Sequence, residues 1–322
     1  MHAEQALLLG STVATFGLCC LVANRVASYF ADSHWILHDY SKATQFMDYG
    51  VVTTFLLGLV LSCGLLYFFS APSKPVLSKD EWRPFKLIQK TPVSRTSAIY
   101  RFQLPANKSL GLPIGRHVSV RVKIGDRIVM RSYTPISDPD AKGYFELLVK
   151  SYPQGNVSRV FGQLKIGDAI EMKGPKGNFN YRRNMADTIG LIAGGTGLTP
   201  CLQIIEQALR DPEDKTRFSM LYANVEHDEI LLKDRLDALA AQHPDRFRVR
   251  YYLNVAPPSW DGGVGYVTKE AIDTHLPKSS ERNRLLMCGP PPMIEAMKGH
   301  ISELSFPAPG PISKEHDPVF VF

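Results

Sequence analysis

The chain has 322 residues, 44% of them apolar and 21% charged, and 37 Lys+Arg against 31 Asp+Glu give a formal net charge of +6. This balance excludes a disordered chain, and the length calls for two or three folding units, each with its own core. Cys19, Cys20, Cys63, Cys201 and Cys288 are too few for a disulfide scaffold and show no metal-ligand spacing; their sparse, odd number fits a reducing compartment, and no metal site is expected.

The charge is unevenly spread. Residues 1–70 carry only Arg25 and Lys42 against Glu4, Asp32, Asp39 and Asp48, or −2, so the remainder carries +8. No charge lies between Asp48 and Lys74, and the centre of that stretch, VVTTFLLGLVLSCGLLYFF (51–69), is apolar on every helical face. Its 19 residues would span about 28 Å as a helix, close to the hydrocarbon thickness of a bilayer. Tyr67, Phe68 and Phe69 stand at its end, where aromatic rings favour the membrane interface. A second run, ALLLGSTVATFGLCCLVA (6–23), is weaker and reads as a second span or an interfacial helix. A signal peptide is disfavoured, because the preceding residues hold Glu4 and no Lys or Arg. His34 and His38 lie between the runs without a further ligand pair and read as loop residues. Lys74, Lys79, Arg83, Lys86 and Lys90 follow the 51–69 run, which places that side in the cytosol by the positive-inside rule. The chain therefore divides into a membrane anchor (1–70), a linker (71–82) and a soluble body.

Within the body, residues 83–182 read as an antiparallel β-barrel domain. Short β-rich runs recur at 98–104, 117–124, 127–135, 144–152 and 169–175, separated by turns, with one helical stretch at about Asn156–Leu164. Residues 183–322 read as an α/β domain on a parallel sheet. Strands are expected at 188–195, 218–224, 247–254 and 284–289, and helices at Leu198–Leu209, 230–242 and 293–304. The segment FPAPGPISKEHDP (306–318) holds four prolines and must be extended.

Four segments carry the chemistry. Gly194-Gly195-Thr196-Gly197-Leu198-Thr199-Pro200 follows a strand and opens a helix, so its backbone can approach a phosphate closely, although Pro200 replaces the third glycine of the dinucleotide fingerprint. Arg131-Ser132-Tyr133-Thr134-Pro135 combines a phosphate fork with hydroxyls, and strand alternation puts Arg131 and Tyr133 on one face. Lys150-Ser151-Tyr152-Pro153-Gln154-Gly155-Asn156-Val157-Ser158-Arg159 opens a helix, with Ser158 a capping or phosphate-binding hydroxyl. Cys288-Gly289-Pro290-Pro291-Pro292-Met293 joins the last long strand to a helix; Cys288 is either a buried structural thiol or part of the site.

Together, in this order, the four segments resemble the NADH–cytochrome b5 reductases, within the ferredoxin–NADP reductase-like superfamily. The matching stretches are RSYTPIS, KSYPQGNVSR, IEMKGPKGNF, GGTGLTP, CGPPPM and the ending VFVF; GLPIGRHVSV (111–120) also matches, with Arg116 where Gln is usual. Single anchors are more usual in this family, so the run at 6–23 is a departure. The resemblance implies FAD on the barrel and NADH on the α/β domain. It implies a flavin phosphate at Arg131, flavin contacts from Tyr133, Thr134, Pro135, Leu148, Lys150, Tyr152 and Thr199, and a pyrophosphate cradle at Gly155, Val157 and Ser158. NADH would meet Gly195, Thr196, Gly197, Cys288, Gly289 and Pro290, with Thr199 and Cys288 nearest the chemistry and Phe322 a terminal aromatic near the flavin. The stretch Val225-Glu226-His227-Asp228-Glu229 holds three acids and no Lys or Arg, which suits the free ribose of NADH and repels a 2′-phosphate; Glu229 is the acid of the family's acid-Ile-Leu-Leu motif. The implied reaction passes a hydride from NADH to FAD and then single electrons to cytochrome b5, an acidic haem protein suited to a +8 body, in membrane electron transfer serving lipid metabolism. Another one-electron acceptor or a quinone is the alternative. The expected partners are that haem protein and the lipid bilayer, with no nucleic acid, at the endoplasmic reticulum or the mitochondrial outer membrane.

Overall fold

The computed structural model describes residues 75–152 and 154–322. Both apolar runs, His34, His38, the start of the linker and Pro153 lie outside the described residues, and no helix among the described residues is long and apolar enough to cross a membrane. Of the expected linker, residues from Pro75 onward lie against the first sheet. Leu77 is buried, and Arg121 and Lys173 each place their charge 4.7 Å from the Trp82 ring.

The first sheet is antiparallel. Its strands are β1 (Arg83–Pro92), β2 (Ser97–Gln103), β3 (His117–Ile124), β4 (Arg127–Tyr133), β5 (Tyr144–Lys150) and β6 (Ala169–Lys176), in the order β4-β3-β6-β1-β2-β5. Alternation builds its core: in β3, Val118, Val120 and Val122 point inward while His117, Ser119 and Arg121 point outward. Just beyond β4, Pro135 bridges Leu147 and draws the two edge strands together. Helix α1 (Val157–Gln163) plugs one end. Its Phe161 is fully buried, 5.1 Å from the Tyr100 ring and 5.0 Å from the Tyr133 ring. Strand β1 escaped the sequence reading because only Phe85 and Leu87 mark its buried face.

The second sheet is parallel: β7 (Thr188–Gly194), β8 (Arg217–Glu226), β9 (Phe247–Val255), β10 (Gly263–Val264), β11 (Asn283–Cys288) and β12 (Val319–Val321), in the order β10-β9-β8-β7-β11-β12. Helices α2 (Leu198–Arg210), α3 (Lys233–Gln242), α4 (Lys269–His275) and α5 (Pro291–Glu303) make the crossovers. Helix α3 starts three residues later than Ile230, where the sequence placed it. Leu232 adopts φ +56°, a left-handed conformation that a right-handed helix cannot contain, and Ile230 and Leu231 are buried ahead of it. Strands β10 and β12 are too short for periodicity to reveal. Helix α4 was overlooked although Thr268 caps it, accepting from the Ala271 N–H at 3.2 Å.

The two sheets share one core. Ile136, Leu148 and Phe179 belong to the same buried cluster as Leu191, Leu198, Cys201 and Leu202. Polar contacts reinforce the join: Gly115 N–H donates to Gln203 Oε1 at 2.7 Å, and Arg235 grips Glu206 through two bonds while donating to the Ile136 carbonyl at 3.0 Å. Phe179 also packs on Phe320 (4.9 Å) and Phe322 (5.6 Å). Phe161→Ala would empty the space among three aromatic rings and should lower stability by about 3–5 kcal/mol, read as a downward shift in the urea midpoint. An unchanged midpoint would show that α1 does not brace the first sheet.

Candidate functional site

In the parallel sheet the chain runs outward from β7 through β8 and β9, then returns to β11 on the other side of β7. Ligands in such sheets bind at the carboxyl ends of the strands where the order reverses. Gly194–Gly195 and Cys288–Gly289 stand there. The two loops touch so closely that a Cβ on Gly197 would lie 2.2 Å from the Cys288 carbonyl oxygen and 2.9 Å from the Gly289 nitrogen. Gly195 has φ +55° and open space around the position of a Cβ, so its backbone is free to meet a ligand. Thr199, at the start of α2, is buried, and its hydroxyl donates to the Thr196 carbonyl at 3.2 Å.

Strand β5 of the antiparallel sheet packs against this Gly195–Gly197 turn. A cleft of about 530 Å³ opens alongside and brings together Lys150, Tyr152, Gly195, Glu229 and Pro290. The sequence had placed these residues in four separate segments. Lys150 Nζ donates to Glu229 Oε2 at 2.9 Å, with the two side chains 14% and 17% exposed, so an ion pair crosses the cleft from one sheet to the other. Glu229 is therefore not a free negative charge; Glu226 and Asp228 are the exposed acids of its stretch. Asn224, Asn254, Tyr266 and His300 also line the cleft and escaped the sequence reading. Asn224 and Asn254 sit at the ends of β8 and β9, where the switch-point rule could have flagged them. Tyr266 follows the unrecognised β10.

The remaining predicted residues lie on the antiparallel sheet or under the loops. Arg131 is exposed on β4; it donates to the Met130 carbonyl at 2.8 Å and has no carboxylate partner among the described residues. Tyr133 is half-buried, and burial pushes its hydroxyl pKa well up. Thr134 is half-buried, Pro135 is buried, and Leu148 faces the shared core. Val157 is also turned into the core, so only its backbone can meet a ligand. Ser158 is the second residue of α1 rather than its cap; Asn156 is the cap, and no side chain covers the first turn, which leaves amide donors there for a ligand. A Cβ on Gly155 would lie 2.1 Å from Ser158 Oγ and 3.1 Å from the Tyr152 carbonyl oxygen, so glycine lets that loop close on the helix start without displacing the hydroxyl. Cys288 is half-buried, and desolvation pushes its thiol up to about 12. It is a neutral SH at physiological pH and not a nucleophile, and it lies beside Pro290 without itself lining the cleft.

These residues fit a flavin dinucleotide and a pyridine nucleotide. The Arg131 guanidinium is free of any carboxylate, and the Asn224 amide nitrogen is buried at the cleft without an acceptor. Both await oxygens that a dinucleotide carries.

Comparison with known proteins agrees. Residues 84–181 match the oxidoreductase FAD-binding domain family and residues 191–299 the oxidoreductase NAD-binding domain family. NADH-cytochrome b5 reductase 1 of Mycosarcoma maydis is 50% identical over 321 residues, 99% of each chain. The protein of the same name from Candida albicans is 50% identical over 286 residues, 88% of this chain and 96% of its own. Among solved structures, the cytochrome b5 reductase domain of Ulva prolifera nitrate reductase superposes with a TM-score of 0.70 at 32% identity, over 77% of this chain and all of that one. With antiparallel and parallel sheets joined at a dinucleotide cleft, and 50% identity along almost its whole length, this chain belongs to the NADH-cytochrome b5 reductase family.

Proposed function

We propose that the chain is an NADH-dependent flavoprotein reductase that delivers electrons to cytochrome b5. The observation that carries this reading is the packing of β5 on the Gly195–Gly197 turn, which sets the expected flavin residues beside the expected NADH loop. Relatives half identical in sequence bear the reductase name. FAD, when bound, accepts the hydride pair of NADH and releases it one electron at a time.

The residues of this chain hold and position. Arg131 presents a planar fork to a flavin phosphate. The uncapped amides at the start of α1, with Gly155, Val157 and Ser158, receive the pyrophosphate. Tyr133, Thr134, Pro135, Leu148, Lys150, Tyr152 and Thr199 form the walls around the flavin. Gly195, Thr196 and Gly197 admit the NADH phosphates, and Cys288, Gly289 and Pro290 lie, uncharged, beside the nicotinamide. No group on this list has to gain or lose a proton. The protein contributes orientation and exclusion of water. Glu229 selects the coenzyme, and Lys150 holds its carboxylate in place until the ribose arrives. The +8 body favours weak, steered association with an acidic haem protein. The apolar run at 51–69 and the cations after it support a tether to a membrane, either endoplasmic reticulum or mitochondrial outer membrane, with the body on the cytosolic side.

The purified full chain should absorb near 450 nm, bleach on addition of NADH, and reduce cytochrome b5 faster than a soluble quinone. A colourless, NADH-inert preparation would overturn the reading. Glu229→Arg removes the carboxylate and sets a second cation beside Lys150, so kcat/KM for NADPH relative to NADH should rise by about tenfold or more; an unchanged ratio would remove Glu229 from coenzyme choice. Membranes carrying the full chain should retain it through an alkaline carbonate wash, and release into the supernatant would remove the tether.

A further inference from the structure

A second concavity, a groove of about 490 Å³, lies on the antiparallel sheet. It runs between the β1–β2 turn, the end of β5 and helix α1, and Tyr152 alone is shared with the dinucleotide cleft. Arg131 and Tyr133, the expected flavin contacts on β4, do not line it.

Its chemistry is one-sided. Lys90, Arg95 and Arg159 line it, and no carboxylate does. Lys90 is engaged: its Nζ donates to the Gly162 carbonyl at 2.7 Å and lies 5.3 Å from the centre of the Tyr100 ring. That bond ties the groove's floor to α1 and leaves the positive charge beside it. The guanidinium groups of Arg95 and Arg159 are exposed and form no hydrogen bond or ion pair with any described residue. Arginines at 101, 121, 183, 210 and 282 each meet an acid, whereas Arg127, Arg131, Arg217 and Arg248 are exposed and meet none among the described residues; what sets Arg95 and Arg159 apart is that they share one groove. Two hydroxyls on the wall are also unused. Ser97 is 4% exposed and its Oγ has no partner; the Thr96 Oγ1 is likewise buried and unpartnered. A buried hydroxyl left without a partner loses its bonds to water and gains none in return.

We propose that this groove binds a phosphomonoester. Guanidinium forks match the geometry of phosphate oxygens and keep their charge at every physiological pH. Hydroxyls supply further donors to the same oxygens. A dianion would thus meet two unpaired arginines, with two unused hydroxyls buried in the wall behind them and a lysine that no acid neutralises. The ligand is either a small phosphate ester from solution or the headgroup phosphate of a lipid such as phosphatidic acid. The groove shares only Tyr152 with the residues expected to handle FAD and NADH, so binding here is additional to the redox chemistry.

Calorimetric titration of the FAD-loaded full chain in non-ionic detergent distinguishes the sources. The probes are glycerol 3-phosphate and dihexanoyl phosphatidic acid, with dihexanoyl phosphatidylcholine as the control that lacks a monoester. Binding of both phosphomonoesters, but not the control, assigns the site to the phosphate itself; binding of phosphatidic acid alone assigns it to a lipid headgroup. In either case Arg95→Gln should weaken the affinity about tenfold or more, and Ser97→Ala should weaken it several-fold. Both variants should keep the 450 nm absorbance and the rate of NADH oxidation with ferricyanide. Absence of binding to the holoenzyme, or binding whose affinity survives both Arg95→Gln and Arg159→Gln, would overturn the proposal.

Discussion

The site depends on one constraint: the two sheets bury a common core, so their loops have a fixed relation. Ile136, Leu148 and Phe179 come from the antiparallel half and are buried among the side chains of β7 and α2. Each such side chain contributes about 1.5–3 kcal/mol on burial. Losing all three would cost a large share of the stability of an ordinary protein, so the join is not a loose hinge. Leu148 shows why this matters for function. It and Lys150 sit two residues apart on β5, so anchoring one in the core sets the position of the other in the cleft.

Glycine then works at close quarters. Gly197 allows the β7 loop to rest on the Cys288–Gly289 backbone, and any side chain there would force the loops apart by more than an ångström. At Gly155 the close neighbour is instead the Ser158 hydroxyl, a side-chain atom. Both turns close tightly, and the uncapped first turn of α1 leaves main-chain donors where phosphates can reach them. Cys288, the one thiol at the switch point, is kept neutral by burial.

Charge is handled differently in the two concavities. In the dinucleotide cleft, Lys150 and Glu229 neutralise one another across the gap. The acidic stretch at the end of β8 therefore carries one held carboxylate and two exposed acids, and not three free charges. In the groove beside α1, Arg95 and Arg159 have no counter-charge at all. Two unpaired arginines that share one groove with unused hydroxyls, where no carboxylate lines the wall, direct that chemistry toward an anion.

Much was legible in the residues alone. The period of two in HVSVRVKI, the strand–glycine–helix punctuation at 194–200 and the alternation of strands with helices after Asp187 are local properties, and they survive folding because neighbours in sequence produce them. The cofactors followed from the family resemblance that the short motifs carry. Other features could not be read. The pairing of Lys150 with Glu229 spans 79 positions, and no local pattern encodes it. Strand β1, with its two buried side chains, exists because β2 and β6 pair with it on either side. The inward turn of Val157, the late start of α3 at Leu232 and the unpaired arginines of the groove all depend on what lies across from them. The sequence by itself determined which segments could bind phosphate and which would be strands; tertiary structure alone decided which of them face one another, because burial and pairing are set by partners far away along the chain.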